Sequence, residues 1–242
     1  MTFCLGIKLS DGLVGIADTR VLSGNEMVVA RKVSVYQNDH QAMFVMTAGL
    51  RSLSDKAVTY FEESMAVPEE PLDHLFKAVN LFAAQIRRVA QEDRQSLQES
   101  GLTFDFSALI GGQFAHDKEH KLFLVYPQGN WIEVGQGTPY QIIGASGYGK
   151  PILDRTLKYQ DPMRFALKVG CLAFDSTRVS AAGVDFPIDV VLYKSGSYRV
   201  IEHRYEKEDI QHASNWWQER LRASVNELPD EWIERALSGL KT

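Results

Sequence analysis

The 242-residue sequence predicts an α+β fold in which helices cover stacked antiparallel sheets. Three observations predict it. Short apolar, β-type runs occur in groups at the beginning, middle and end of the first 205 residues. Between those groups lie two blocks whose apolar residues recur at three- and four-residue steps. Neighbouring runs are joined by tight turn signals such as Asp11-Gly12, which suit hairpins rather than βαβ crossovers.

Residues 3–9 and 13–17 read as two strands around Ser10-Asp11-Gly12, and residues 28–36 and 42–47 as a second pair around Asn38-Asp39-His40. Four consecutive strands suggest one antiparallel sheet. Residues 54–65 and 72–97 then read as helices separated by Pro68 and Pro71. Leu75, Val79, Phe82, Ile86 and Val89 fall on one stripe of the second helix and form its core face. Strands resume at residues 104–111, 121–126, 131–134 and 140–143. Two further helices follow at 148–158 and 162–179, where Pro162 suits a first helical turn. Residues 188–193 and 198–204 make a last strand pair around Ser195-Gly196. Beyond it, Trp216, Trp217, Leu221, Val225, Trp232, Ile233 and Leu237 are spaced for amphipathic helices broken at Pro229. No composition shift marks a linker. Residues 1–242 therefore read as one domain whose residues 206–242 are a C-terminal helical extension.

The 45% apolar content suffices for a sizeable core. A net charge of −5 and a pI near 5.7 argue against a general nucleic-acid surface, which would be basic. Cys4 and Cys171 are too few for a disulfide framework and sit in apolar surroundings, so both are expected as buried free thiols. No apolar run approaches the roughly 18 residues of a membrane span. No basic segment followed by an apolar stretch opens the chain. The expectation is a cytoplasmic protein with neither membrane nor nucleic-acid partners.

The chemistry is concentrated near the start. Thr2 is small, so removal of Met1 is expected and would place an amine and a hydroxyl on one residue. Such an amine can act as general base for its own threonine hydroxyl. Its ordinary pKa is roughly 7.7–8.0, and a nearby ammonium lowers it. Lys32 is the candidate ammonium and Asp18 the candidate carboxylate to hold it. Spacing alone leaves open an ordinary first residue, a turn acid and a solvated lysine. Arg20 either lines the same site or pairs with carboxylates.

Two other signals compete. Gly144-Ala145-Ser146-Gly147-Tyr148-Gly149-Lys150 has phosphate-loop spacing between a strand and a helix, which keeps nucleotide binding as an alternative. Pro151, however, stands where Mg²⁺ needs a Ser or Thr hydroxyl. His116-Asp117-Lys118-Glu119-His120 reads as a solvated turn, because two histidines four apart share a face only on a helix.

Thr2, Ala17-Asp18-Thr19-Arg20, Ala30-Arg31-Lys32-Val33 and Ala48-Gly49-Leu50 together resemble the β-subunits of the proteasome and the bacterial peptidase HslV. These are N-terminal nucleophile hydrolases. Chain length, the Met1-Thr2-Phe3-Cys4 opening and the C-terminal extension look most like the Anbu (ancestral β-subunit) branch. The resemblance covers residues 2–205. Asp18 follows Thr2 at the family spacing, whereas Lys32 comes slightly early and implies a trimmed loop at Ser23-Gly24-Asn25.

The resemblance implies a four-layer αββα sandwich. It implies Gly49 as oxyanion donor, although Leu50 stands where the family has a second glycine. It also implies a serine supporting the Thr2 amine. Ser146 is the nearest match, offset by one residue because Ala145 holds the strict position. Asp175 and Ser180 match a family aspartate and serine near the threonine, but at a gap of five rather than three, and Ser176 competes. The implied activity is threonine-type cleavage of peptide or unfolded-protein substrates without metal or organic cofactor. The implied assembly is a homo-oligomeric ring or ring-like helix, with an ATPase partner left open. A catalytically silent scaffold subunit is the second alternative.

Overall fold

The structure is a computed structural model that describes residues 2–23, 26–68 and 70–240. It divides into two compact units, Met1–Glu206 and Lys207–Thr242. In the first unit, β1 (Phe3–Lys8) and β2 (Gly12–Asp18) form the predicted hairpin. They are followed by β3 (Arg20–Ser23), β4 (Glu26–Val29), β5 (Val33–Asn38) and β6 (Gln41–Gly49). Next come α1 (Arg51–Ala66), α2 (Leu75–Glu99), β7 (Phe106–Phe114), β8 (Lys121–Val125), β9 (Trp131–Glu133) and β10 (Tyr140–Gly144). The unit closes with α3 (Lys150–Thr156), α4 (Met163–Ser180), β11 (Ile188–Lys194) and β12 (Val200–Tyr205).

Two expectations are corrected here. The single strand over residues 28–36 is two strands, because the chain leaves the ladder at residues 30–32, where the Ala30 N–H donates to Thr19 O at 2.8 Å. β4 pairs instead with β3 in a two-stranded hairpin. Nor do the first strands form one sheet. β1 and β2 lie in a sheet of order β10-β1-β2-β11-β12, and β5 and β6 in one of order β5-β6-β7-β8-β9. The free edge of β2 is taken by β11, and the β3–β4 hairpin lies between the two strand pairs in the chain.

The stripe Leu75, Val79, Phe82, Ile86 and Val89 is buried with Met43, Val45, Ile110 and Phe123 on one face of the second sheet. Strand side chains alternate between faces. Phe44, Met46 and Leu109 therefore point the other way, and they pack with Leu13, Ala17 and Val191 of the first sheet. α4 covers the outer face of that first sheet. A Cβ at Gly170 would come within 2.6 Å of Ile16 Cδ1, so the glycine lets helix and strand approach closely. Cys4 is buried and Cys171 half-buried, both as free thiols.

The second unit holds α5 (Lys207–Asn226) and α6 (Glu231–Leu237), separated around Pro229 as predicted. Trp216, Val225, Leu228 and Trp232 are exposed there. Among the described residues, no helix is long and apolar enough to cross a membrane.

The topology determines where the candidate site falls. Thr2 precedes β1, Asp18 ends β2, Lys32 precedes β5 and Gly49 ends β6. The antiparallel registers Cys4↔Ala17 and Val33↔Met46 set the first pair together and the second pair together.

Candidate active site

Asp18 is fully buried and organises the local backbone. Its Oδ1 accepts the Phe3 N–H at 2.8 Å and a Lys32 Nζ proton at 2.7 Å, and its Oδ2 accepts the Arg20 N–H at 3.1 Å. Lys32 Nζ also donates to Arg20 O at 2.7 Å. The break between β4 and β5 gives Lys32 the freedom to reach inward. Burial pushes the Asp18 carboxyl up from its ordinary value, against the opposing pull of the Lys32 ammonium and the two backbone N–H donors. A buried charge pair is sustained by further hydrogen bonds, and here Asp18 accepts three donors while Lys32 Nζ donates to both Asp18 Oδ1 and Arg20 O.

Thr2 is half-buried, and its carbonyl oxygen accepts the Ala145 N–H at 2.7 Å. Gly144 has φ +84°, and a Cβ there would stand 1.9 Å from Thr2 O. Only glycine fits both constraints. Gly49 has φ +120°, and its missing Cβ would meet Asp105 O at 2.2 Å. The Leu50 N–H donates to that same oxygen at 3.0 Å, fixing the turn from β6 into α1.

Thr2, Lys32 and Gly49 line one cleft of about 490 Å³, together with Arg20, Thr47, Arg51, Ser54, Asp105, Gly144 and Ala145. Asp18 lies behind Lys32. Arg20 satisfies both expectations: it lines the cleft, and its guanidinium pairs with Asp185 at 3.0 Å. The cleft thus combines a hydroxyl-bearing residue at the head of the chain, a buried cation and a glycine in a sharp turn.

The other expected residues lie elsewhere. Ser146 is exposed on the turn after β10 and does not line the cleft, and its neighbour Ala145 makes the contact with Thr2 through the backbone. Asp175 is buried on α4, where its Oδ1 accepts from Arg178 Nε at 3.0 Å and Nη2 at 2.7 Å, and it too is absent from the cleft wall. On the same helix Ser176 is half-buried and Ser180 exposed. Lys150 of the phosphate-loop spacing is exposed and holds Asp154 Oδ1 and Tyr140 OH, each at 3.0 Å. Gly144, the first glycine of that spacing, has the separate task of admitting Thr2. Met1 lies outside the described residues, and so do Gly24 and Asn25 of the expected trimmed loop.

Thr47, Arg51, Ser54 and Asp105 join the cleft without having been singled out. Three of them flank Gly49 in the chain. Asp105 arrives only through the β6–β7 register Gly49↔Phe106, which the sequence does not display.

No family model matches the chain, and no curated protein matches it. Solved structures do. A structure described as the helical assembly of the Anbu complex from Pseudomonas aeruginosa is 28% identical, with TM-score 0.88 over 94% of this chain and 97% of that one. Anbu (ancestral β-subunit) from Yersinia bercovieri is 29% identical, with TM-score 0.86 over 94% and 97%. A Gly-1 mutant of Anbu from Hyphomicrobium sp. strain MC1 is 27% identical, with TM-score 0.87 over 95% and 98%. The resemblance first carried by Thr2, Asp18, Lys32 and Gly49 therefore extends through nearly the whole chain and into its C-terminal extension.

Proposed function

We propose that this chain is a threonine-type N-terminal nucleophile hydrolase that cleaves peptide bonds inside a self-assembled, proteasome-like particle in the cytoplasm. The observation that carries the reading is the buried Lys32–Asp18 pair opening into the same cleft as Thr2 and Gly49. On this reading the packing of α1 and α2, two sheets, and α3 and α4 is the four-layer αββα sandwich.

Loss of Met1 frees the Thr2 amine. Thr2 Oγ then attacks the substrate carbonyl carbon as the amine takes the hydroxyl proton. The Gly49 N–H stabilises the resulting oxyanion, a kind of donor worth about 2.7–4 kcal/mol in comparable sites. Collapse breaks the C–N bond, and the Thr2 ammonium returns its proton to the leaving amine. Water, deprotonated by the same amine, hydrolyses the acyl ester and restores the hydroxyl. Lys32 keeps the amine neutral by electrostatic repulsion of its protonated form, and Asp18 orients Lys32. The exposed apolar residues of α5 and α6 support an assembly role for the extension.

Hydrolysis of a fluorogenic peptide panel by the wild type, Thr2→Ala and Thr2→Ser tests the reading. Activity is expected in the wild type, reduced in the serine variant and absent in the alanine variant. An alanine variant as active as the wild type refutes it.

A further inference from the structure

Asp73, His74 and His116 form a cluster separate from the cleft. Asp73 and His74 end the α1–α2 connection, and His116 lies in the turn between β7 and β8. The two imidazoles face one carboxylate: His74 Nδ1 is 2.9 Å from Asp73 Oδ1, and His116 Nδ1 is 3.6 Å from Asp73 Oδ2. One ligand atom from each residue lies within 4.8 Å of the others. Tetrahedral Zn²⁺ at about 2.0–2.1 Å from its ligands sets those ligands roughly 3.3 Å apart, close to the 2.9 Å and 3.6 Å between the two imidazole nitrogens and the Asp73 oxygens.

The two segments are already locked together. The His116 N–H donates to Asp73 O at 3.2 Å. The buried Asp117 carboxylate accepts the N–H of Leu75, the first residue of α2, and the N–H of Phe114, the last of β7, both at 2.9 Å. Gln113 Nε2 donates to Asp117 O at 3.2 Å. Holding ligand arms in place beforehand removes much of the ordering cost of binding.

From this geometry we propose that Asp73, His74 and His116 bind one late transition-metal ion of the Zn²⁺ class, which ties the α1–α2 connection to the β7–β8 turn. Two imidazoles and a carboxylate are a donor set that zinc accepts, with water in the fourth position. His120 is no part of it: its Nε2 is 2.7 Å from Leu9 O in the interior. Lys77 is the competitor, with its ammonium 2.8 Å from Asp73 Oδ1. The ion must displace it. Lys77 is therefore a brake on metal affinity rather than a ligand.

The test is calorimetric titration of the tag-free, full-length chain with Zn²⁺, alongside His74→Gln, His116→Gln and Lys77→Gln. His116 is exposed, so its replacement leaves packing intact. One Zn²⁺ per chain is expected, about tenfold or more weaker in each histidine variant and several-fold tighter in Lys77→Gln, in line with the usual sensitivity of metal sites to their supporting groups. A thermal shift on Zn²⁺ addition should follow the same order. Failure to bind one equivalent, affinity unchanged in both histidine variants, or no tightening in Lys77→Gln overturns the proposal.

Discussion

The Cβ that Gly144 lacks would stand 1.9 Å from the carbonyl oxygen of Thr2. The glycine that looked like part of a phosphate loop thus determines how closely β10 approaches the proposed nucleophile. Gly144→Ala adds a clash to a left-handed conformation that itself costs an alanine about 1–2 kcal/mol. Displacing Thr2 by an ångström is enough to lose roughly 10²-fold in rate. The variant should therefore show kcat/KM about a hundredfold lower, with a lower Tm. Wild-type kinetics in Gly144→Ala contradict this placement.

On the proposed mechanism, Lys32 sets the pH dependence of activity. Removing its ammonium removes the repulsion that keeps the Thr2 amine neutral, so the amine pKa rises and the active form moves to higher pH. Lys32→Met should lose most activity, and what is left should climb at alkaline pH. The variant also strands a buried carboxylate, at a cost of about 3–5 kcal/mol. Lys32→Met with Asp18→Asn removes the stranded charge but leaves one of the Phe3 and Arg20 N–H groups facing the amide nitrogen, so its rate is read beside its Tm. A rate profile with the wild-type pH midpoint in the double variant argues against the electrostatic role.

His120 should make the fold acid-sensitive. Burial holds its imidazole below the usual 6.5, Lys8 adds to that effect, and the Leu9 carbonyl, Glu119 and Asp11 oppose it. The unfolded chain therefore takes up the proton first as pH falls. The stability contributed by the neutral ring is complete above 6.5 and is lost as pH drops below it. The Tm should fall as the pH drops below about 6.5, and His120→Gln should flatten that slope. An equal slope in the variant points to other groups.

How much the sequence disclosed follows from the range of each signal. Asp11-Gly12 and the stripe from Leu75 to Val89 are local patterns, and the structure contains the hairpin and the buried helix face they predict. Sheet membership is not local. Nothing within residues 28–47 records that β2 pairs with β11, more than 160 residues away, as in Ala17↔Asp189. The end of the β3–β4 hairpin has no signal of its own in the sequence, because the β-type residues Val28 and Val29 run through Ala30-Arg31-Lys32 into Val33 with no Gly or Pro between them. At the site, Thr2 and Lys32 were candidates from their chemistry and Gly49 from the family resemblance, and the structure sets all three on one cleft. Ala145 was not a candidate, since its contribution is a backbone N–H that carries no residue signature.

The extension should govern assembly. Trp232 is 75% exposed and Val225 65%, so both helices of the extension present large apolar side chains to solvent. Deleting residues from Lys207 onward removes one whole compact unit and leaves the other, so the shortened chain should fold. Light scattering after size exclusion should find a large particle for the full chain and a small one for the deletion. An unchanged particle moves the assembly contacts to the first unit.

The most direct test of the central claim is intact mass followed by peptide mapping after treatment with an electrophilic peptide inhibitor. The account predicts a chain lacking Met1, with a single inhibitor adduct on Thr2 that disappears in Thr2→Ala. A chain that retains Met1 and takes no adduct, or an adduct on any other residue, contradicts it.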